Sequence, residues 1–134
     1  MRRLVTAIGL TAGLATVAAA VRLAARSWRH RVAVEGGSMM PGLAPGDWVL
    51  VDPAAYRRHR PQPGHVVVLP DPREPRRVLV KRVTQVLGDG RLEVRGDAPA
   101  ASTDSRTFGP VAETTVEGRA WARYWPLARV GRVR

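Results

Sequence analysis

The chain has 134 residues, a formal net charge of +11 at pH 7 and 45% hydrophobic residues. This length allows one folded domain and one appended segment, and the absence of cysteine excludes disulfides, thiol catalysis and zinc-thiolate sites. The arginines are scattered among strands and turns, and no block of five or six like charges appears. We therefore expect an anionic membrane surface rather than nucleic acid as a partner, and we expect no cofactor.

The N-terminal segment predicts a membrane helix. Residues 4–21 carry no charge and follow two arginines, and a helix of this length spans about 27 Å, which is just enough for a bilayer core. Trp28 follows where an interfacial aromatic belt would lie. We therefore interpret residues 1–31 as a retained membrane anchor with a basic flank. A cleavable signal peptide is the alternative, because small residues near the end of the run would suit cleavage.

The rest of the chain, residues 32–134, predicts one β-rich domain. Short β-prone runs broken by glycine and proline predict strands at 31–35, 48–51, 65–69, 77–87 and 91–95, and one or two strands in 116–125. Residues 88–90 predict a hairpin turn, and 56–63 and 96–109 predict loops. In the last strand Trp121, Arg123 and Trp125 fall on one face, which suits either a membrane interface or core packing.

The first candidate site residue is Ser38. Residues 36–43 read GGSMMPGL, in which Gly36 and Gly37 allow unusual backbone angles and Pro41 stiffens the exit. Such a turn presents the serine hydroxyl instead of burying it, although a plain loop is the alternative. The two methionines after the serine would line an apolar pocket or pack under the turn.

The second candidate is Lys81, the only lysine beside 21 arginines. It lies in an alternating apolar run of strand type, and lysine, unlike arginine, can lose its proton when it is desolvated. A serine nucleophile needs a base within hydrogen-bond reach, so Lys81 is the candidate general base. A chance surface lysine is the alternative. His30 and His59 lie among arginines, and His65 has no acidic neighbour in the sequence.

Together with residues 95–111, these pieces resemble the type I signal peptidases, membrane-bound serine proteases with a Ser/Lys dyad. The matching motifs cover roughly residues 33–111 and are, in chain order, Ser38-Met39-x-Pro41, Gly46-Asp47, Lys81-Arg82-Val83, Gly96-Asp97 and Ser102-x-Asp104-Ser105-Arg106 before Gly109. Each motif is weak alone, whereas their common order makes the resemblance specific.

The resemblance implies a role for each matching residue. Ser38 would be the nucleophile, Lys81 the general base and Ser102 the hydroxyl that orients the lysine amine. Asp104 and Arg106 would form the structural pair that holds the loop against the site.

The chain departs from the family pattern at two positions. Many relatives have a serine where this chain has Gly36, so the oxyanion hole would depend mainly on backbone N–H groups. The supporting residues would then be Gly36, Gly37, Met39 and Ser102. Ala98 occupies the position of the usual asparagine, which leaves the role of its loop open.

The resemblance implies a signal-peptidase-like β-barrel or sandwich preceded by one transmembrane helix. The expected function is a membrane-anchored serine endopeptidase that removes signal peptides from exported precursors. An extended precursor peptide would dock as an added strand beside residues 36–40. Maturation of a nickel-type superoxide dismutase, by removal of its N-terminal extension, is the alternative within the enzyme class. A basic, membrane-tethered binding module is the non-enzymatic alternative.

The expected location is the cell membrane, with a single pass and the catalytic domain on the extracytoplasmic face. The arginines on the C-terminal side of the apolar run outnumber those before it, and this charge bias favours the opposite orientation. We prefer the outer face because signal peptidases act where exported precursors emerge. The richness in arginine, alanine, glycine and proline suggests a GC-rich bacterial genome.

Overall fold

A computed structural model describes the backbone of residues 2–134 and the side chains of residues 13–134. Helix α1 covers Arg2–Trp28 and a short helix α2 covers Ser105–Phe108. The strands are β1 (Arg31–Ala33), β2 (Trp48–Asp52), β3 (Val66–Asp71), β4 (Glu74–Val86), β5 (Leu92–Arg95), β6 (Gly118–Trp125) and β7 (Gly131–Arg132). Four 3-10 turns lie at Gly37–Met39, Pro99–Ala101, Glu113–Thr115 and Leu127–Arg129.

Helix α1 contains the whole of the predicted anchor at residues 4–21. The side chains of residues 4–12 lie outside the described ones. Among the residues that the structure describes, no helix combines the length and the apolar character needed to cross a bilayer.

The C-terminal end of α1 is fixed to the sheet. Ser27 is fully buried and accepts a hydrogen bond of 2.9 Å from Nε1 of Trp121 in β6. Arg26 pairs with Asp52 at the end of β2 at 2.8 Å. The helix therefore leaves the domain from a defined place beside β2 and β6.

An aromatic group surrounds this end of the helix. The ring of Trp28 lies 5.3 Å from that of Tyr124, and the ring of Trp48 lies 6.5 Å from Tyr124. Trp28 and Trp125 are about half exposed. The predicted common face of the last strand is thus divided, because Trp121 packs on the helix while Trp125 faces solvent.

All seven strands belong to one antiparallel sheet. The order is β1-β2-β6-β3-β4-β5, and β7 pairs with β6. Strand β1 is at one end of this order, so one of its edges has no strand partner among the described residues. The turn that carries Ser38 follows β1 in the chain.

Both faces of the sheet are covered. Val66 and Val68 of β3 belong to one buried cluster with Met39 and Val49, whereas the alternate β3 residues belong to a second cluster, namely Val67 and Leu69 with Leu79, Val83, Leu92, Val94 and Val111. Strand β3 therefore reads as a continuous apolar run because neither of its faces meets solvent.

The mainly β fold is confirmed, and the strands lie close to their predicted positions. Several predicted boundaries were wrong. Strand β1 ends at Ala33 instead of residue 35, and β4 begins at Glu74 instead of residue 77. Strand β3 continues through Pro70 to Asp71, because β6 pairs only with Val67 and Val68 and this end of β3 has one strand neighbour. The predicted loop 96–109 contains a 3-10 turn and helix α2, which begins at the capping residue Asp104.

Candidate active site

The serine of the site lies on a tight turn after β1. Ser38 is at the centre of the 3-10 turn Gly37–Met39. Met39 is 1% exposed, and its carbonyl accepts a hydrogen bond of 2.9 Å from Leu43 N. Met40 is 45% exposed. The buried methionine thus holds the turn in the core and leaves the hydroxyl of Ser38 half-buried.

The lysine of the site is buried on β4. Lys81 is 3% exposed and pairs with Val67 in the register of β3 and β4. Its Nζ atom lies 2.8 Å from Oγ of Ser38. The fold therefore joins two candidate residues that are 43 positions apart in sequence.

The surroundings of Lys81 favour the neutral amine. Burial is the main reason that the pKa of Lys81 is lowered from its ordinary value of 10.5. The charges of Arg77 and Arg106 lower this pKa further, whereas those of Asp104 and Asp71 oppose the shift. The amine therefore releases its proton at a lower pH than an exposed lysine would.

A second hydroxyl contacts the same amine. Ser102 Oγ lies 3.1 Å from Lys81 Nζ and donates its proton to Oδ2 of Asp104 at 2.6 Å. A serine hydroxyl has one proton and two lone pairs. Because the proton is directed to the carboxylate, a lone pair of Ser102 is left to accept a hydrogen bond from the lysine amine.

Asp104 holds the whole loop. Its carboxylate is fully buried, accepts from Gly96 N at 2.9 Å and forms a two-pronged pair with Arg106 through Nη2 at 2.6 Å and Nε at 2.9 Å. It also caps α2 by accepting from Arg106 N. The Arg106 side chain is the main cause that holds the pKa of Asp104 far below its ordinary value, and Ser102 and Gly96 add to this. Asp104 therefore remains ionised.

Gly96 allows the loop to approach the serine closely. A Cβ atom at this position would lie 2.3 Å from Ser102 Oγ and 2.5 Å from the carbonyl oxygen of Ser38. Two residues later, Ala98 N donates to the same Ser38 carbonyl at 2.9 Å. Because this contact uses the backbone, it is available whether the residue is alanine or asparagine.

The predicted oxyanion residues have open surroundings. Gly36 is exposed and extended, with φ −104° and ψ 161°, and a Cβ atom added there would meet no atom within 4 Å. A Cβ atom at Gly37 would lie 3.6 Å from Sδ of Met40. Space therefore exists beside Ser38 for a side-chain donor that this chain does not carry at position 36.

The sequence did not identify the ionic cluster that fixes the loop after Ser38. Asp47 is 1% exposed and pairs with Arg123 and Arg129 at 3.2 Å each. Asp47 also accepts from Ala44 N at 2.9 Å, and Arg123 donates to the Gly42 carbonyl at 2.6 Å. The Gly46-Asp47 motif pointed to the aspartate, whereas nothing in the sequence indicated that Arg123 or Arg129 contacts it.

A third ion pair joins the strand of Lys81 to the Gly96 loop. Arg82 donates to both oxygens of Asp97, at 2.8 Å and 2.7 Å, and also to the Gly64 carbonyl at 2.9 Å. In the sequence, Arg82 follows Lys81 and Asp97 follows Gly96. The Lys81-Arg82 and Gly96-Asp97 motifs therefore contained both members of this ion pair.

The serine and lysine lie at one end of a cleft of about 500 Å³. One wall is formed by β1 and the residues that follow it as far as Met39, and the other by residues 76–81 of β4. His65 does not line this cleft and instead contacts the hydroxyl of Tyr56 at 3.0 Å. The cleft is long and open, which suits an extended chain.

An antiparallel β-domain with a serine and a buried lysine in contact at the end of a cleft is the kind of arrangement found in Ser/Lys hydrolases. The chain belongs to the family described as signal peptidase, peptidase S26, whose model matches residues 1–95 and 83–125. It is therefore a peptidase, and this membership favours the enzyme over the non-enzymatic binding module.

Several eukaryotic proteins are similar to this chain. The mitochondrial ATP-independent inner membrane protease subunit 1a of Arabidopsis thaliana is 34% identical, over 75% of this chain and 73% of the plant protein. The mitochondrial inner membrane protease subunit 2 of Danio rerio is also 34% identical, over 75% and 66% respectively. Subunit 1 of Homo sapiens is 28% identical, over 77% and 74%. These relatives do not support the bacterial origin expected from composition.

Proposed function

We propose that this peptidase is a membrane-associated serine endopeptidase in which Ser38 is the nucleophile and Lys81 the general base. The observation that carries the proposal is the 2.8 Å contact between Ser38 Oγ and the buried Nζ of Lys81. A hydroxyl becomes a good nucleophile only when a base within hydrogen-bond reach removes its proton. Lys81 can be this base, because its lowered pKa favours the neutral amine.

In the first half of the reaction, Ser38 Oγ attacks the scissile carbonyl while its proton moves to neutral Lys81. Backbone N–H groups of the turn, including that of Ser38, would stabilise the negative oxygen that forms. The C–N bond then breaks, and the lysine ammonium gives its proton to the leaving amine. This leaves an ester on Ser38 and a neutral lysine.

In the second half, water attacks the ester and Lys81 takes the water's proton. Release of the carboxylic acid returns that proton to Ser38, so the dyad is restored. Throughout, Ser102 orients the amine, and Asp104 fixes Ser102 by accepting its hydroxyl proton at 2.6 Å. Asp104 acts through Ser102 and is a positioning residue.

The substrate is an extended segment of a precursor protein. Strand β1 has a free edge along the cleft, and extended peptides bind such edges by adding a strand. The peptide would then reach Ser38 at the end of the cleft. Gly36 and Gly37 would flank the scissile bond.

We also propose that α1 attaches the peptidase to a membrane, as the names of the mitochondrial inner membrane relatives suggest for those proteins. The exposed ring of Trp28 at the helix end would meet the lipid headgroups. The catalytic domain would face the extracytoplasmic side. Protease digestion of a C-terminal tag in intact spheroplasts tests this, and a tag that stays protected until lysis would reverse the orientation.

The function is tested by incubating the detergent-solubilised protein with a secretory precursor and with the precursor of a nickel-type superoxide dismutase. We expect wild-type protein to release an N-terminal segment from one of them, and mass spectrometry of the products identifies the bond and the substrate class. The Ser38→Ala variant should cut neither precursor. Cleavage by this variant at the wild-type rate would contradict the proposed nucleophile.

A further inference from the structure

One end of the cleft is rich in arginine. Its lining includes Arg31, Arg73, Arg76 and Arg77. Arg73 is already paired with Asp71, through contacts of 3.1 Å and 2.8 Å. The other three have no carboxylate partner among the residues whose side chains are described, and all three are exposed.

These unpaired arginines are set apart from the dyad. Arg77 and Arg76 precede Lys81 by four and five residues on β4, which corresponds to about 13 Å and 17 Å along an extended strand. Arg31 lies opposite, at the start of β1, with its guanidinium 4.8 Å from the Trp28 ring. A peptide strand lying along β4 has the same rise per residue. Its fourth or fifth residue from the scissile bond would therefore lie beside Arg76 and Arg77.

The charged side chains that line the cleft are mostly cationic. Glu35 is the only carboxylate among the lining residues, and it lies three positions before Ser38, which is about 10 Å along an extended strand. The arginines outnumber it, so the lining favours an anionic side chain over a cationic one.

We propose that the cleft selects precursor segments with an acidic side chain four or five residues from the bond that is cut, paired with Arg76 and Arg77. The inference rests on the proposed peptidase function and specifies its substrate class. An aspartate or glutamate at this distance gains charge complementarity at the basic end.

The expected size of the preference follows from exposure. Exposed ion pairs are weak, and each is expected to change kcat/KM by about fivefold or less. The preference should fall as salt is added, because the Debye length is about 8 Å at physiological ionic strength. Arg77 also lowers the pKa of Lys81, so rates should be compared above the pH at which activity levels off.

The test uses the full-length protein in neutral detergent and a set of fluorogenic peptides that share one cleavage sequence. In each peptide a single aspartate replaces alanine at one position, from one to six residues on either side of the cut bond. We expect kcat/KM to rise about fivefold with aspartate at position four or five on one side, and to change less with aspartate at the other positions.

The ratio of rates for the acidic and the neutral peptide is then measured in Arg76→Gln/Arg77→Gln. We expect this ratio to fall to about one, while the matched loss of charge in Arg57→Gln/Arg58→Gln leaves it unchanged, because those exposed arginines do not line the cleft. Binding of the same two peptides to Ser38→Ala gives a readout that does not need turnover.

Three results would overturn the proposal. The first is wild-type cleavage of all peptides without a position-dependent preference, which leaves the peptidase function intact. The second is an equal loss of preference in both double variants. The third is a defect of Arg76→Gln/Arg77→Gln only in sedimentation with anionic vesicles, which would assign these arginines to a lipid surface. Failure of wild-type protein to cut any peptide would instead contradict the proposed function.

Discussion

Two buried aspartates, Asp104 and Asp47, make the same kinds of contact but hold different parts of the molecule. Each is at most 1% exposed, each pairs with arginine and each accepts a backbone N–H. Asp104 also holds the hydroxyl of Ser102, which contacts the lysine amine. The contacts of Asp47 join the loop behind the serine to Arg123 of β6 and to Arg129 of the following turn.

The same kind of ion pair therefore holds a structural loop in one place and a residue that contacts the lysine amine in another. The charge of Asp104 contributes to the pKa of Lys81, whereas Asp47 is not among the causes of that shift. Loss of either aspartate should weaken the fold. Only loss of Asp104 should alter how activity depends on pH, so pH profiles separate the two regions.

The largest effect is expected at Lys81, whose amine contacts the Ser102 hydroxyl that Asp104 holds. Lys81→Arg should be as inactive as Lys81→Ala, with a loss of about a thousandfold in kcat, because a guanidinium stays protonated and cannot act as a base. Single-turnover cleavage measures this, and circular dichroism checks that both variants fold. A Lys81→Arg enzyme with more than a few per cent of wild-type activity would exclude the lysine from the role of base.

The substitutions Asp104→Asn and Asp47→Asn test whether the two aspartates differ in their effect on activity. Asp104→Asn leaves Arg106 without its carboxylate, and Asp47→Asn leaves both Arg123 and Arg129 without theirs. Each should lower the free energy of unfolding by about 2 kcal/mol, a value reduced from that of a fully buried pair because the arginines are partly exposed. We expect kcat to fall about a hundredfold in Asp104→Asn, because the loop that carries Gly96 and Ser102 loses the carboxylate that accepts hydrogen bonds from both residues. Urea unfolding and kcat are measured on both variants.

The two variants should also differ in pH dependence. Asp104 raises the pKa of Lys81, so its neutralisation lowers that pKa and moves the rising limb of activity to lower pH. Asp47→Asn should keep the wild-type limb. Equal limbs in the two variants would remove the distinction between the two aspartates.

Gly96→Ala tests the close approach of the Asp104 loop to the serine. The new methyl group would lie 2.3 Å from Ser102 Oγ and 2.5 Å from the Ser38 carbonyl, and overpacking of this kind costs about 1–3 kcal/mol. We expect kcat to fall by more than tenfold through displacement of the dyad. Gly88→Ala is the control, since nothing lies within 4 Å of its Cβ position. Equal activity in both variants would mean that the loop has room to move away.

Ser102→Ala should have the smallest effect on catalysis. It removes a hydrogen bond that orients the amine but leaves the base in place, so we expect kcat to fall about tenfold. Ser105→Ala is the matched control, because the Ser105 hydroxyl accepts from Val94 N in the same loop and does not contact Lys81. A wild-type rate for Ser102→Ala, with Ser105→Ala equally active, would contradict the orienting role.

The sequence was sufficient to predict the candidate dyad and most strands. The Ser38 turn carries glycines and a proline, and Lys81 stands out as the single lysine, so both signals are local. The sequence pattern of a core strand follows its burial. A strand buried on one face alternates apolar and polar residues, whereas β3, which is buried on both faces, is a continuous apolar run. The contact between Ser38 and Lys81 depended on family resemblance, because no local pattern joins residues so far apart.

Features that depend on tertiary contacts were not predictable in this way. Helix α1 continues to Trp28 because Ser27 is held by Trp121, a residue 94 positions away. Strand β7 has two residues and exists through its pairing with β6. Arg123 and Arg129 become structural only when β6 and the following 3-10 turn bring them to Asp47.

The central claim is that the buried amine of Lys81 is the titrating base, and the single lysine makes it directly measurable. Protein labelled with 13C-lysine gives one lysine side chain to follow by NMR from pH 6 to 11. The account predicts a pKa below the ordinary 10.5 that coincides with the rising limb of kcat/KM, and a lower pKa still in Asp104→Asn. A lysine that titrates at its ordinary value, or an activity limb that does not follow it, would contradict the account.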